Sequence, residues 1–117
     1  MTIYNIKGEH LLLDLYGVDV QLLLDRATAL KCLHLIYTTC KLTPVCNPLI
    51  HQFDNSGITG IVMLCESHAS IHTYPERQYA SIDVYSCNGC DLNEAVDQVI
   101  GLFKPVDRTI KIIPRGV

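Results

Sequence analysis

The sequence has no tryptophan and little charge, since only 18% of its 117 residues are Asp, Glu, Lys or Arg. Nine basic residues against twelve acidic ones leave a formal net charge of −3. This balance argues against a nucleic-acid-binding surface, which has to neutralise phosphates. The longest apolar runs, such as residues 61–65, are far too short to span a bilayer. The first residues lack a basic stretch followed by a long apolar one, so we expect a cytoplasmic protein in a thiol-reducing environment, without membrane partners.

Apolar residues are plentiful, at 49% of the chain, which excludes a disordered protein and supplies one small hydrophobic core. No internal repeat or polar linker is visible, and residues 1–117 are therefore predicted to form one domain. The high apolar content also indicates that part of the surface packs against a partner subunit. The six cysteines form no obvious disulfide framework, and we expect reduced thiols.

The alternation of polar and apolar residues predicts strands with two intervening helices. The predicted strands cover residues 9–16, 60–65, 69–74, 79–85 and 109–113. Asp19 is placed to cap a helix over residues 20–35, with Leu23, Ala27 and Leu30 on its apolar face.

A second helix is predicted to begin at Asp91, because Asp91 and Glu94 have the spacing of a capping box, and to end before Pro105. These elements predict an α+β fold. We expect a two-layer α/β sandwich in which an antiparallel sheet carries the two helices on one face. The opposite face then needs polar residues or a partner to cover it.

Residues 66–76 hold the densest group of reactive side chains, and Cys87 follows Ser67 by twenty positions. If residues 69–74 form a strand, Ser70, His72 and Tyr74 share one face. A hydroxyl, an imidazole and a thiol on adjacent strands can carry out acid–base and nucleophilic chemistry.

Each motif has a plainer interpretation when it is taken alone. A zinc site could be formed by His51, His68 and His72. However, the HExxH pattern is absent and the region has the pattern of a strand, so no metal is expected. The CxxC at residues 87–90 lacks a second cysteine pair, and a turn flanked by two thiols is the simpler interpretation. Ser67 lacks the G-x-S-x-G elbow of a serine hydrolase.

Taken together, the segments at residues 66–76 and 79–87 resemble the signature of the prokaryotic-type S-adenosylmethionine decarboxylase proenzymes. The resemblance extends over nearly the whole chain, with further matches at residues 8–10, 15–17, 51–53 and 57–60. It implies a self-processing, pyruvoyl-dependent decarboxylase that supplies the aminopropyl donor for spermidine biosynthesis.

The resemblance also implies how the chain is processed. Ser67 would attack the carbonyl of Glu66, and the resulting ester would break by β-elimination. The products would be a β chain of residues 1–66 and an α chain of residues 67–117, which begins with a pyruvoyl group made from Ser67. His72 matches the proton acceptor of this processing, and a neutral imidazole suits a base near neutral pH. Thr59 matches a small hydroxyl residue that supports the ester.

For catalysis, the resemblance implies a Schiff base between the pyruvoyl group and the substrate amine, with the group acting as electron sink. Cys87 matches the proton donor. Phe53 matches an aromatic residue that stacks on adenine, and Glu76 matches a carboxylate that binds the ribose hydroxyls. Tyr74 stands where relatives usually carry tryptophan, a departure that concerns the substrate pocket.

Family members form homodimers of processed units in which both protomers contribute to each site. Relatives on the same scaffold decarboxylate arginine or ornithine, and Phe53 and Glu76 favour the nucleoside substrate. A third interpretation is a non-processing homologue that regulates a partner. The joint presence of Ser67, His72 and Cys87 argues against it.

Overall fold

A six-stranded antiparallel sheet forms one layer of the computed structural model, which describes residues 6–87 and 89–116. The strands are β1 (Gly8–Tyr16), β2 (Leu49–Gln52), β3 (Ile58–Leu64), β4 (Ser67–Tyr74), β5 (Tyr79–Ser86) and β6 (Asp107–Arg115). The helices are α1 (Val20–Leu23), α2 (Arg26–Thr39) and α3 (Leu92–Phe103), with a 3₁₀ turn at Pro75–Arg77. In the sheet the strand order is β2-β3-β4-β5-β1-β6. The predicted α+β sandwich is confirmed, with three helices rather than two.

The sheet has one buried face, because alternate residues of its four inner strands pack into a core shared with the helices. Along β5, Ile82 and Val84 are buried while Ser81, Asp83 and Tyr85 point the other way, as predicted. We call this second side of the sheet the outer face. Its exposed apolar side chains include Tyr16, Ile61, Met63 and Tyr74.

The prediction of a single helix over residues 20–35 is wrong, because the helix is interrupted between α1 and α2. The Asp25 carboxylate accepts hydrogen bonds from the Ala27 backbone N–H, at 3.3 Å, and from the Thr28 hydroxyl, at 2.7 Å, and so caps a new helix. The break changes which side chains face the sheet. Ala27 and Leu30 are exposed instead of buried, and Thr28 and Ala29 occupy the core side.

Helix α3 begins at the predicted cap, where the Asp91 carboxylate accepts a hydrogen bond from the Asn93 N–H at 3.0 Å. Its apolar stripe is buried, and the helix ends at Phe103 before Lys104 turns the chain with φ 47°. Sequence patterns missed β2, a four-residue edge strand that exists because β3 pairs with it. Within the described ranges, no helix is long and apolar enough to cross a membrane.

Candidate active site

The predicted cleavage site lies in the tight turn between β3 and β4. Only Cys65 and Glu66 separate the two strands, and Glu66 adopts φ 59°, a left-handed conformation that costs a non-glycine residue about 1 kcal/mol or more. Ser67, the first residue of β4, is buried, with 9% of its surface exposed. Its Oγ has no hydrogen-bond partner within residues 6–87 and 89–116. The turn therefore joins a strained backbone to a hydroxyl that no described residue restrains by a hydrogen bond.

Cys87 lies at the same end of the sheet as Ser67. In the register of β4 and β5, His68 pairs with Tyr85, and one further step along this register sets Ser67 opposite Ser86. Cys87 follows directly as an exposed thiol that lines a pocket of about 390 Å³. Cys90 is half-buried, with its Sγ 3.6 Å from the Ser86 Oγ.

His72 and Thr59 form a cross-strand pair between β3 and β4, further along the sheet. The Thr59 Oγ1 and the His72 Nδ1 are 3.2 Å apart, within hydrogen-bonding distance. Both residues line a cleft of about 270 Å³ together with Phe53 and Glu76. Phe53 is 55% exposed, and its ring meets that of His51 edge to face at 4.7 Å. The structure thus brings four of the predicted site residues together in one cleft.

The cleft that contains His72 lies far from the end of the sheet that carries Ser67 and Cys87. His72 follows Ser67 by five positions on one strand, which corresponds to about 17 Å at about 3.3 Å per residue. An odd separation also sends the two side chains to opposite faces, and Ser67 belongs to the buried side while His72 is on the outer face. Within one chain, the structure does not place His72 beside the bond that it is predicted to help cleave.

A polar network that the sequence patterns did not predict lies at the centre of the outer face. The His10 Nε2 lies 2.7 Å from the Asp83 Oδ2, and the His68 Nε2 lies 3.3 Å from the same oxygen. The Ser70 hydroxyl donates to the other carboxylate oxygen. Half-burial alone would raise the pKa of Asp83, but the hydrogen bonds from Ser70, His10 and His68 lower it below its ordinary value. Since His10 and Asp83 are 73 positions apart, only the strand register reveals this contact.

The nitrogens of His10 and His68 and a carboxylate oxygen of Asp83 all lie within 4.8 Å of one another, a spacing that could hold a metal ion. However, the Arg115 Nη1 lies 3.4 Å from the His10 Nδ1. Because a guanidinium only donates hydrogen bonds, the His10 Nδ1 is the acceptor. The His10 Nε2 therefore carries the proton and donates a hydrogen bond to Asp83. This arrangement favours a hydrogen-bonded network.

Three comparisons with known proteins identify the family of the chain. A family model described as S-adenosylmethionine decarboxylase matches residues 9–116. The chain is 38% identical over 116 residues to S-adenosylmethionine decarboxylase proenzyme 2 of Bacillus cereus, covering 97% of this chain and 93% of the relative. It is 40% identical over 111 residues to the S-adenosylmethionine decarboxylase proenzyme of Sulfurihydrogenibium, covering 94% and 83%.

A solved structure is also similar over nearly the whole fold. The crystal structure of the adenosylmethionine decarboxylase from Aquifex aeolicus superposes with a TM-score of 0.86 at 33% identity, covering 96% of this chain and 92% of that one. The family match, the full-length relatives and the shared fold lead to one conclusion: the chain belongs to the S-adenosylmethionine decarboxylase family.

Proposed function

We propose that this chain is a proenzyme that cleaves itself between Glu66 and Ser67 and then decarboxylates S-adenosylmethionine with a pyruvoyl group made from Ser67. The substrate and the reaction rest on the family match and on the relatives, which carry the same enzyme name. The observation that carries the cleavage is the buried Ser67 Oγ, which has no hydrogen-bond partner among the described residues and follows the strained backbone of Glu66.

The proposed cleavage uses groups that already adjoin one another. The Ser67 Oγ adds to the Glu66 carbonyl carbon, and the backbone nitrogen of Ser67 leaves as an amine, which converts the peptide bond into an ester. Removal of the Ser67 Cα proton then expels the Glu66 carboxylate. The remaining dehydroalanine takes up water and loses ammonia, leaving a pyruvoyl group on the chain of residues 67–117 and a free carboxylate on the chain of residues 1–66.

Ser67 suits a pyruvoyl group, because the residue is buried and its hydroxyl has no hydrogen-bond partner among the described residues. The pyruvoyl group supplies an electrophilic carbonyl and an electron sink for decarboxylation, the chemistry that pyridoxal phosphate supplies elsewhere. Cys87 holds the proton that returns to the α-carbon of the substrate, and its exposed thiol is open to solvent for reprotonation. The product would serve as the aminopropyl donor for spermidine synthesis.

The cleft with Phe53 and Glu76 would bind the nucleoside. The exposed ring of Phe53 offers a face for adenine, and the exposed carboxylate of Glu76 can accept hydrogen bonds from ribose hydroxyls. Arginine and ornithine have neither adenine nor ribose, and the two relatives and the one solved structure named above are all S-adenosylmethionine decarboxylases. These observations favour S-adenosylmethionine over arginine or ornithine.

The complete site would be formed by two copies of the chain, as a homodimer of processed units. His72 is about 17 Å along β4 from Ser67, too far for proton transfer within one chain, and Thr59 pairs with His72 on β3. The outer face around them exposes Ile61 and Met63, apolar side chains that a second copy would cover. We therefore assign His72, Thr59, Phe53 and Glu76 of one copy to the Ser67 and Cys87 of the other.

Intact-mass measurement tests the cleavage. The wild-type chain is expected to yield fragments of residues 1–66 and 67–117, the second beginning with a pyruvoyl group, while Ser67→Ala stays whole. A wild type that stays whole under assay conditions would contradict the proposal and favour a non-processing regulatory homologue. Carbon dioxide release from S-adenosylmethionine, arginine and ornithine then tests the substrate, and turnover of either amino acid alone would overturn the assignment.

A further inference from the structure

We propose that Tyr85 and Arg115 are positioning residues for Cys87: the Tyr85 hydroxyl donates a hydrogen bond to the Cys87 sulfur, and Arg115 holds the ring that carries this hydroxyl. The inference rests on the proposed function, in which Cys87 returns a proton to the substrate. Neither side chain is among the residues to which the resemblance assigns a role.

The ring of Tyr85 is held from both sides on the outer face. Tyr85 pairs with His10 on β1 and with His68 on β4. The His10 ring meets it edge to face at 5.8 Å, and the His68 ring stacks on it at 6.1 Å. These two imidazoles are themselves fixed by their hydrogen bonds to Asp83. The network at the centre of the sheet therefore sets the position of the tyrosine ring.

Arg115 and Gly8 complete the enclosure at the end of the sheet. The Cζ of Arg115 lies 5.6 Å from the centroid of the Tyr85 ring, a cation–π contact. Gly8 pairs with Arg115, and a Cβ atom at residue 8 would lie only 2.8 Å from the Tyr85 hydroxyl oxygen. The missing side chain at Gly8 thus leaves the room that the phenol occupies. Gly8, Cys87 and Arg115 all line the 390 Å³ pocket.

The Tyr85 hydroxyl is suited to act as a donor. The hydrogen bond with Cys87 is the largest cause that raises the pKa of Tyr85, the electrostatic interaction with Cys87 is the next, and Arg115 opposes them only in part. The phenol therefore keeps the proton that it donates. The charged residues that line the pocket are Lys7, Glu9 and Arg115. The two cations outnumber the one anion, and together with the phenol they stabilise negative charge that develops on the Cys87 sulfur when it reacts.

Removing the hydroxyl alone tests this role. Tyr85→Phe keeps the ring, and we expect the alkylation of Cys87 by iodoacetamide at pH 7, followed by peptide mass spectrometry, to slow by about three- to tenfold. The matched control is Tyr79→Phe, which removes a hydroxyl from the same strand that bonds to Asp14 at 2.5 Å. Alkylation of Cys87 in this control is expected to match the wild type.

Arg115 provides the second variant. Arg115→Met is expected to slow Cys87 alkylation in the same direction, and Arg115→Lys to restore part of the rate because it keeps the charge without the planar guanidinium. In the decarboxylation assay, Tyr85→Phe is expected to lower kcat while KM stays close to the wild-type value. If Tyr85→Phe does not fold, the Arg115 pair decides the outcome.

The outcomes separate this inference from the proposed function. If the wild type cleaves and decarboxylates while Cys87 alkylation is the same in Tyr85→Phe and Arg115→Met as in the wild type, the positioning role is wrong and the proposed function stands. If the wild type stays whole, the proposed function is wrong, and the alkylation rates still report whether Tyr85 acts on Cys87.

Discussion

Ser67 and His72 lie on the same strand but point to opposite faces of the sheet, with about 17 Å of extended chain between them. Proton transfer needs hydrogen-bonding distance or a single bridging water, and this separation exceeds both. A base that acts on Ser67 therefore has to come from elsewhere, and a second copy of the chain is the source that we propose.

Mixed dimers test this arrangement. His72→Ala alone and Ser67→Ala alone are both expected to stay whole. When the two are co-expressed, the His72→Ala chains should cleave, because each retains Ser67 and receives His72 from its partner. Intact mass distinguishes the two chains. If the His72→Ala chains stay whole in a confirmed mixed dimer, His72 does not act between protomers.

Glu66→Gly probes the strained turn. Glycine adopts a positive φ without the steric cost that Glu66 bears, so in a Ser67→Ala background the variant should raise the free energy of unfolding by about 0.5–1 kcal/mol. With Ser67 intact, it should slow cleavage by up to about fivefold, because the strain that favours bond breakage is gone. Urea unfolding and the time course of the 1–66 fragment measure the two effects. Faster cleavage would show that the left-handed turn does not assist the reaction.

Asp83→Asn should destabilise the uncleaved Ser67→Ala chain in a pH-dependent way. The folded pKa of Asp83 is lowered, so its contribution to stability is present above the unfolded value of about 3.9 and is lost as pH falls through the folded value. The difference in unfolding free energy between the two chains should therefore be larger at pH 7 than at pH 3. Equal differences at both pH values would mean that the Asp83 charge does not stabilise the network.

Phe53→Ala should raise KM for S-adenosylmethionine by about tenfold, because an aromatic contact with adenine is lost. Phe53 is 55% exposed, so the variant should fold and cleave like the wild type. Leu49→Ala removes another exposed apolar residue, 69% exposed on β2 but outside the cleft, and serves as the control. A KM unchanged in Phe53→Ala would remove this residue from the binding site.

Glu76→Gln should also raise KM, by about tenfold, because a neutral amide replaces the charge-assisted hydrogen bonds to the ribose. Glu76 is exposed beside the cleft, and its neighbour Arg77 offers the control Arg77→Gln. Steady-state kinetics of the cleaved enzymes measures both. Equal effects of the two substitutions would point to general electrostatics rather than to ribose binding.

Local patterns predicted much of the fold correctly. The alternation along β5 and the cap at Asp91 depend on neighbouring residues, and both are confirmed. The break at Asp25 was missed, because the apolar pattern continues across it and only the capping hydrogen bonds and the packing of α2 reveal it. Strand β2 was missed because four residues directly after Pro48 carry little pattern without their partner strand.

The sequence by itself determined the family signature around Ser67, the strands that carry it and the side of each strand that is buried, because these follow from residue type and from a periodicity of two. The tertiary structure alone decided which side chains meet. Strand register brings His10 to Asp83 across 73 positions and gathers Arg115 and Gly8 around Tyr85, while the extended geometry of β4 keeps His72 away from Ser67. Contacts of this kind depend on how distant strands pair, which no local pattern contains.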